Sequence, residues 1–454
     1  MVRNPPRRPE ETDPHPGSEW GLFIDEYLKQ QECYTVTRYP IDQVLAAIET
    51  FATGSYSSLS PLILEQLISV LHYPEHIRLL LNITIAPAWW DLLDRVGESC
   101  PLLSRSFGHL MLQTYGLLLS IATLSHNKDL DDFIQTHATN LDDESGVLTS
   151  IELYIARILN PASSDEIDEN YNHLAAKLGW TDKNDGRGHV FLTNMFNQEV
   201  KNTIYLLGHL NKSRRHFLQT YNRRPTIGWS IILSLMCLHL KVYSTRNQPE
   251  ELLSGLSTRF RDLTYRYYLV SDPSQHRLIT CLIDLTNNLS DIRNVPFNPA
   301  PDLEDAGEIA TAIGQQYLAP VDNTNVRGTD LDDLCRMFVF ADATICGIES
   351  YDCYPHVFQP ALERLWYELD YLYTQTSSYE KLARYVILHF GLFERCIAAD
   401  KLEVYEPAFS HMISLGLLRV KLIDLLGIVL IRLVMNLNPQ AQETGVYALS
   451  LHEP

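Results

Sequence analysis

The sequence predicts an all-α protein in which irregular stacked helical hairpins form an α-solenoid-like array. Helix start signals recur along the chain, apolar residues follow helical spacing, and sustained strand-like alternation is not found. The most apolar run, 226–243, lies mid-chain, and only Ser230, Ser234, Cys237 and Lys241 form a polar stripe on it. It is shorter than the roughly twenty residues of a membrane span. We therefore expect a buried core helix.

Composition places the chain among folded soluble proteins with a large core. It has 454 residues, of which 45% are hydrophobic and 20% are charged. Its 8 cysteines include no Cys-x-x-Cys pair, which is typical of a reducing compartment. Residues 1–17 are proline-rich and lack an apolar segment, so they predict a disordered tail rather than a secretory signal. We expect an intracellular protein, cytoplasmic or nuclear, without a transmembrane segment.

The N-terminal half contains several helix signals. Apolar residues at helical spacing predict helices over 18–30 and 41–51. Ser60 followed by Pro61 predicts an N-cap and the first position of the next helix. Capping-box spacing predicts further helix starts at Thr149 with Glu152 and at Ser163 with Glu166, and another in the C-terminal half at Ser377 with Glu380.

The C-terminal half contains helix start signals of the same kind. Asp272 before Pro273 predicts a cap, and Gln359 before Pro360 predicts the start of another helix. Residues 264–270 are the best strand candidate, with helix equally compatible. The predicted organisation is a tail at 1–17, a helical block at 18–295, a linker with one short helix at 296–333, a second helical block at 334–438 and a flexible tail at 439–454.

Two leucine-rich runs repeat with a period of about forty residues. LLLNIT at Leu79–Thr84 matches LLLSIA at Leu117–Ala122. These runs resemble the last helix of armadillo and HEAT repeats. The resemblance implies an α-solenoid and a peptide-binding asparagine on that helix, which is Asn82 here. Ser120 replaces the asparagine in the next repeat.

The catalytic and metal motifs that we tested fail on geometry. His72 to His76 spells the inverted zinc-protease signature, but Pro74 breaks the helix that the signature requires. Asp182 to Gly186 resembles a calcium loop without glycine at position six or glutamate at position twelve, so we expect an exposed turn. We predict no metal, no cofactor and no catalytic residue. His239 is predicted to be a hydrogen-bonded core residue.

The main physical asymmetry is a basic strip at 200–277. It holds twelve Lys or Arg and four Asp or Glu, in a chain whose net charge is −20. Guanidinium groups suit phosphates and carboxylates. The candidate partner-binding residues of the strip are Lys212, Arg214, Arg215, Arg223 and Arg224. The alternative is that these charges pair internally with the chain's own abundant carboxylates.

Three functions are compatible with the sequence. The leading hypothesis is a non-catalytic helical scaffold that binds a protein partner through an extended groove. The alternative is an anion-binding module that holds RNA or acidic lipid on the basic strip. The third is an enzyme whose buried site lacks a linear motif.

Overall fold

Two compact units make up the chain. The computed structural model describes residues 20–30, 37–54, 56–138, 144–161, 167–182, 188–190, 200–222, 227–245, 249–289, 297–318, 329–345, 353–372, 379–400 and Gly427. Unit 1 comprises 1–260 and 280–291, and unit 2 comprises 261–279 and 292–454. The predicted all-α fold is confirmed, because helices dominate both units.

Unit 1 contains eleven complete helices among the described residues. They are α1 (Ile24–Gln30), α2 (Ile41–Ala52), α3 (Pro61–Ile68), α4 (Pro87–Ser99), α5 (Ser106–His126), α6 (Leu130–Ala138), α7 (Glu144–Leu159), α8 (Ile167–Lys177), α9 (Val200–Lys212), α10 (Arg214–Tyr221) and α11 (Trp229–Ser244). Short 3-10 helices cover Tyr56–Ser58, Ser69–His72, Pro74–Asn82 and Leu102–Ser104. Strands β1 (Trp180–Asp182) and β2 (Gly188–Val190) form a small antiparallel ribbon on either side of the predicted turn.

Helices α12 (Glu250–Val270) and α13 (His276–Asn287) each contribute residues to both units. Unit 2 continues with α14 (Leu303–Leu318), α15 (Leu331–Ile345), α16 (Tyr354–Leu372) and α17 (Tyr379–Asp400). The range 296–333, predicted as a linker with one short helix, therefore carries α14. Its apolar residues Ile309, Ile313 and Tyr317 are buried in unit 2, so α14 is part of that core.

Helices α5 and α11 form the centre of unit 1. Every residue of α11 from Trp229 to Leu240 is buried, which confirms the predicted core helix. Among the described residues, only α5 is long and apolar enough to cross a membrane, and 94% of its apolar window is buried inside the protein. A Cβ on Gly116 would lie 2.5 Å from the carbonyl oxygen of Ile227. Glycine at this position is what allows α5 and the start of α11 to touch backbone to backbone.

The N-terminus of α11 is held by a carboxylate from another helix. Gly228 has a φ of +72° and donates its backbone N–H to the Glu152 carboxylate. The predicted capping box at Thr149 and Glu152 is wrong, because both residues lie inside α7 and Glu152 caps α11 instead. Capping-box spacing also occurs within a continuous helix, and the sequence pattern does not distinguish the two cases.

Unit 2 is built around α14, which packs against α15 and α16. Helices α15 and α17 run parallel, because Asp332 bonds to Arg384 at their N-terminal ends and Phe338 contacts His389 further along. The predicted helix start at Gln359 and Pro360 is wrong, since Pro360 lies inside α16. Residues 264–270 are helical within α12, which settles the strand candidate.

Other predictions near the N-terminus are partly corrected. Ser60 does cap α3 by accepting a hydrogen bond from the backbone N–H of Ile63. The first helix begins at Ile24 rather than near residue 18, because Gly21 adopts a φ of +81° that helical backbone cannot accommodate.

Pro74 starts a separate 3-10 helix, so the two histidines around it lie on different helices. Ser163, Ser377 and the tails at 1–17 and 439–454 lie outside the described residues.

Candidate functional site

Helix α9 has one face fixed in the core of unit 1. Its apolar side packs against α4 and α11. The residues buried there are Thr203, Leu206, Leu207, His209 and Leu210. Their three- and four-residue spacing places them on one side of the helix. The opposite side of α9 is consequently aimed away from these neighbours.

The opposite side carries a basic and aromatic strip. Lys201, Tyr205, Gly208 and Lys212 follow i, i+4, i+7, i+11 spacing, so they fall within an arc of about 60°. Both lysines are exposed, and Tyr205 is 60% exposed. A Cβ on Gly208 would meet no atom within 4 Å, so this side of the helix has an open notch at Gly208. We call these four residues the α9 face.

Two buried histidines hold α9 in place. The Nε2 atom of His209 lies 2.6 Å from a carboxylate oxygen of Asp94 on α4. The His209 ring packs so closely on Gly97 that a Cβ there would lie 2.3 Å from Nδ1. On the α11 side, His239 Nδ1 lies 2.6 Å from the Thr203 hydroxyl, as predicted for a hydrogen-bonded core histidine. These contacts fix the orientation of the exposed α9 face.

The predicted basic cluster lies partly at the end of this face. Ser213 separates α9 from α10, and its hydroxyl accepts a hydrogen bond from the Leu103 backbone at 3.3 Å. Lys212 is exposed on one side of this junction, and Arg214 and Arg215 are half-buried on the other side. The structure thus brings these three predicted residues together. Arg223 and Arg224 lie outside the described residues.

Asn82 stands on different elements from the basic cluster. It ends the 3-10 helix Pro74–Asn82, which packs against α2, α5 and α6, whereas α9 packs against α4 and α11. Asn82 ends a 3-10 helix rather than a regular α-helix, and its role as a peptide-binding residue stays a prediction.

Other parts of the basic strip are neutralised inside the protein. Arg266 is fully buried and forms ion pairs with Asp262 at 3.0 Å and Asp305 at 2.7 Å. The Arg261 guanidinium lies over the Phe297 ring, with 4.2 Å between Cζ and the ring centroid. The alternative prediction, that charges of the basic strip pair internally with carboxylates, is therefore confirmed for Arg266. In the described part of the chain, none of the ion pairs involves Lys212.

Chemically reactive side chains serve packing elsewhere in the described regions. Burial raises the pKa of the Cys237 thiol to about 12, which leaves it protonated at neutral pH. Burial lowers the pKa of His389 to about 4, although a hydrogen bond to the Tyr385 carbonyl opposes this change. The described residues contain no group of three or more His, Cys, Asp or Glu that could hold a metal ion. Asp129 and Asp131 pair with Arg157 and Arg78, respectively, where α6 begins.

The fold and the site together define an all-α protein with an exposed basic and aromatic helix face. Comparison with protein-family models, curated proteins and solved structures finds no match for this chain. Sequence reasoning located Lys212 but missed Tyr205 and Gly208, because neither carries charge. Their spacing from Lys201 and Lys212 is a readable signal once α9 is assigned as a helix.

Proposed function

We propose that this protein is a non-catalytic helical scaffold that binds an acidic segment of a protein partner on the α9 face. The observation that carries the proposal is the exposure of Tyr205 between two lysines on one helix face, while the other side of the helix is buried. Aromatic residues are enriched in protein interfaces, and lysines attract carboxylates over several ångströms.

The surroundings of the face favour this proposal over catalysis. The titratable side chains of His209 and Asp94, on the buried side of α9 and on α4, are bonded to each other at 2.6 Å and orient α9. The proposal does not require the solenoid arrangement, which remains a prediction. Arg214 and Arg215 extend the positive potential beyond Lys212, which supports an elongated acidic partner.

A charge-reversal experiment tests the proposal. The variant Lys201→Glu/Lys212→Glu inverts the face, and Arg259→Glu/Arg277→Glu makes the same charge change at exposed arginines on α12 and α13. Labelled acidic peptides of about twenty residues are titrated at low and physiological salt. We expect the α9 variant to lose about tenfold in affinity, or about 1.4 kcal/mol, and the control to stay within about twofold.

Two other probes distinguish the proposed scaffold function from the competing anion-binding function. Single-stranded RNA and liposomes with acidic lipids are titrated with the same variants. RNA affinity should fall with salt with a log–log slope of about −0.7 per neutralised phosphate. If RNA or liposomes bind more tightly than every acidic peptide, and the α9 variant abolishes that binding, the anion-binding module replaces the scaffold. Absence of binding to all probes at low salt contradicts both functions of this face.

A further inference from the structure

We infer that the partner segment on the α9 face is an acidic α-helix that lies along α9 and places an apolar side chain over Gly208. This inference rests on the proposed function and adds the conformation and side-chain spacing of the partner. It follows from the arrangement of four residues on one helix rather than from the net charge of the strip.

The notch at Gly208 determines how closely a partner can approach. A Cβ there would have no neighbour within 4 Å, so the space above the helix backbone is open. Tyr205 stands one turn away on the same face of the helix and is 60% exposed. Small residues allow two helix backbones to approach closely, and a rigid aromatic ring beside such a contact supplies buried area. The notch therefore suits a leucine-sized side chain from a second helix.

The lysines set the length of the contact. Eleven residues separate Lys201 from Lys212, which corresponds to about 16 Å along the helix axis. A partner helix that lies nearly antiparallel has the same rise per residue. Its acidic residues should therefore stand eleven positions apart, with apolar residues four and seven positions after the first acidic residue. The first of these apolar residues faces Gly208, and the second faces Tyr205.

An extended partner would form fewer favourable contacts with the α9 face than a helical partner. The backbone N–H and C=O groups in the middle of α9 are bonded within the helix, so they cannot add a strand by backbone hydrogen bonding. Single-stranded RNA would use a row of aromatic rings for stacking. The α9 face has a single aromatic ring, that of Tyr205. A helix with a mirrored spacing uses all four residues of the face at once.

Two synthetic peptides test the spacing. The matched peptide is a twenty-residue alanine-rich helix with Glu at positions 4 and 15 and Leu at positions 8 and 11. The second peptide has the same composition with these four residues scattered around the helix, and circular dichroism checks that both are helical. We expect the matched peptide to bind the full chain about tenfold more tightly by fluorescence anisotropy. Equal affinities overturn the inference.

Filling the notch provides the second test. Gly208→Leu should abolish the preference for the matched peptide without lowering Tm, because a Cβ at this position meets no atom within 4 Å. Gly255→Leu on α12 is the matched control, since a Cβ there also meets no atom within 4 Å. If charge reversal weakens the binding of acidic peptides but Gly208→Leu leaves the preference intact, the inferred helical partner is wrong and the proposed function stands. If no acidic peptide binds wild-type protein, both are wrong.

Discussion

Arg266 donates two parallel hydrogen bonds to Asp305, at 2.7 and 2.8 Å, although neither side chain has exposed surface. Asp262 accepts a third hydrogen bond from the same guanidinium at 3.0 Å. Burial opposes the charge on Arg266, but the two carboxylates raise its pKa above the ordinary value. The geometry joins α12 to α14 within unit 2 through a fully paired buried cation.

Removing one partner of this network should be costly. Asp305→Ala leaves Arg266 buried with a single carboxylate, and we expect a loss of about 3–5 kcal/mol in the free energy of unfolding. Arg384→Ala breaks exposed pairs with Asp332 and should cost less than about 1 kcal/mol. Urea unfolding followed by circular dichroism measures both changes. Similar losses for the two variants would show that the buried network has no special weight.

The backbone contact between α5 and α11 should reject any side chain at Gly116. In Gly116→Ala the new Cβ would overlap the Ile227 carbonyl, so one helix must shift. We expect destabilisation of about 1–3 kcal/mol. Gly255→Ala on α12 is open and should stabilise by about 0.5–1 kcal/mol through helix propensity. Thermal unfolding compares the two variants, and a neutral Gly116→Ala would contradict the close crossing.

The cap on α11 predicts a difference between two substitutions at Glu152. Glu152→Ala leaves the Gly228 N–H buried without its carboxylate partner, which should cost about 1–3 kcal/mol. Glu152→Gln keeps an acceptor oxygen, so its cost should be clearly smaller. Amide hydrogen exchange at Gly228 provides a local measurement, with faster exchange expected in Glu152→Ala. Identical effects of both substitutions would exclude the hydrogen bond as the cause.

His389 predicts a pH dependence of stability. Burial lowers its folded pKa to about 4, whereas an unfolded histidine has a pKa of about 6.5. The unfolded state therefore binds more protons between these values, and the free energy of unfolding falls as pH drops from about 6.5 towards 4. The loss should reach about 2 kcal/mol at pH 5 relative to pH 8.

The variant His389→Gln isolates this dependence. It removes the titrating group but keeps hydrogen-bonding capacity towards Tyr317, whose hydroxyl lies 2.6 Å from His389 Nε2. Urea unfolding of wild type and variant at several pH values gives the comparison. Between pH 5 and 6.5, we expect the part of the pH dependence of the unfolding free energy that is due to His389 to be absent in the variant. An unchanged slope would assign the dependence to other groups.

Local and compositional patterns predicted much of the fold. The core position of α11 followed from its apolar circumference, and the Ser60 cap followed from a residue and its immediate neighbours. The role of Glu152 could not be predicted, because its partner Gly228 is 76 residues away in the chain. Pro360 was misleading for a related reason, since its place inside α16 depends on tertiary packing near Gly314.

The candidate site was only partly predictable for similar physical reasons. Charge density marked Lys212, Arg214 and Arg215, but it also marked Arg266, whose carboxylate partners come partly from a different helix. Burial distinguishes these cases, and burial depends on contacts between elements far apart in sequence. Gly208 gave no sequence signal of its own, because its importance lies in the empty space above it.

The chain passes between the two units at 260/261, at 279/280 and at 291/292. No single cleavage point therefore yields two intact pieces: a fragment that ends at residue 260 lacks the part of α13 that completes unit 1. During translation, unit 1 stays unfinished until the ribosome has also produced the first segment of unit 2. A split-protein reporter that divides this chain at one point should therefore leave at least one of the two units incomplete in each half.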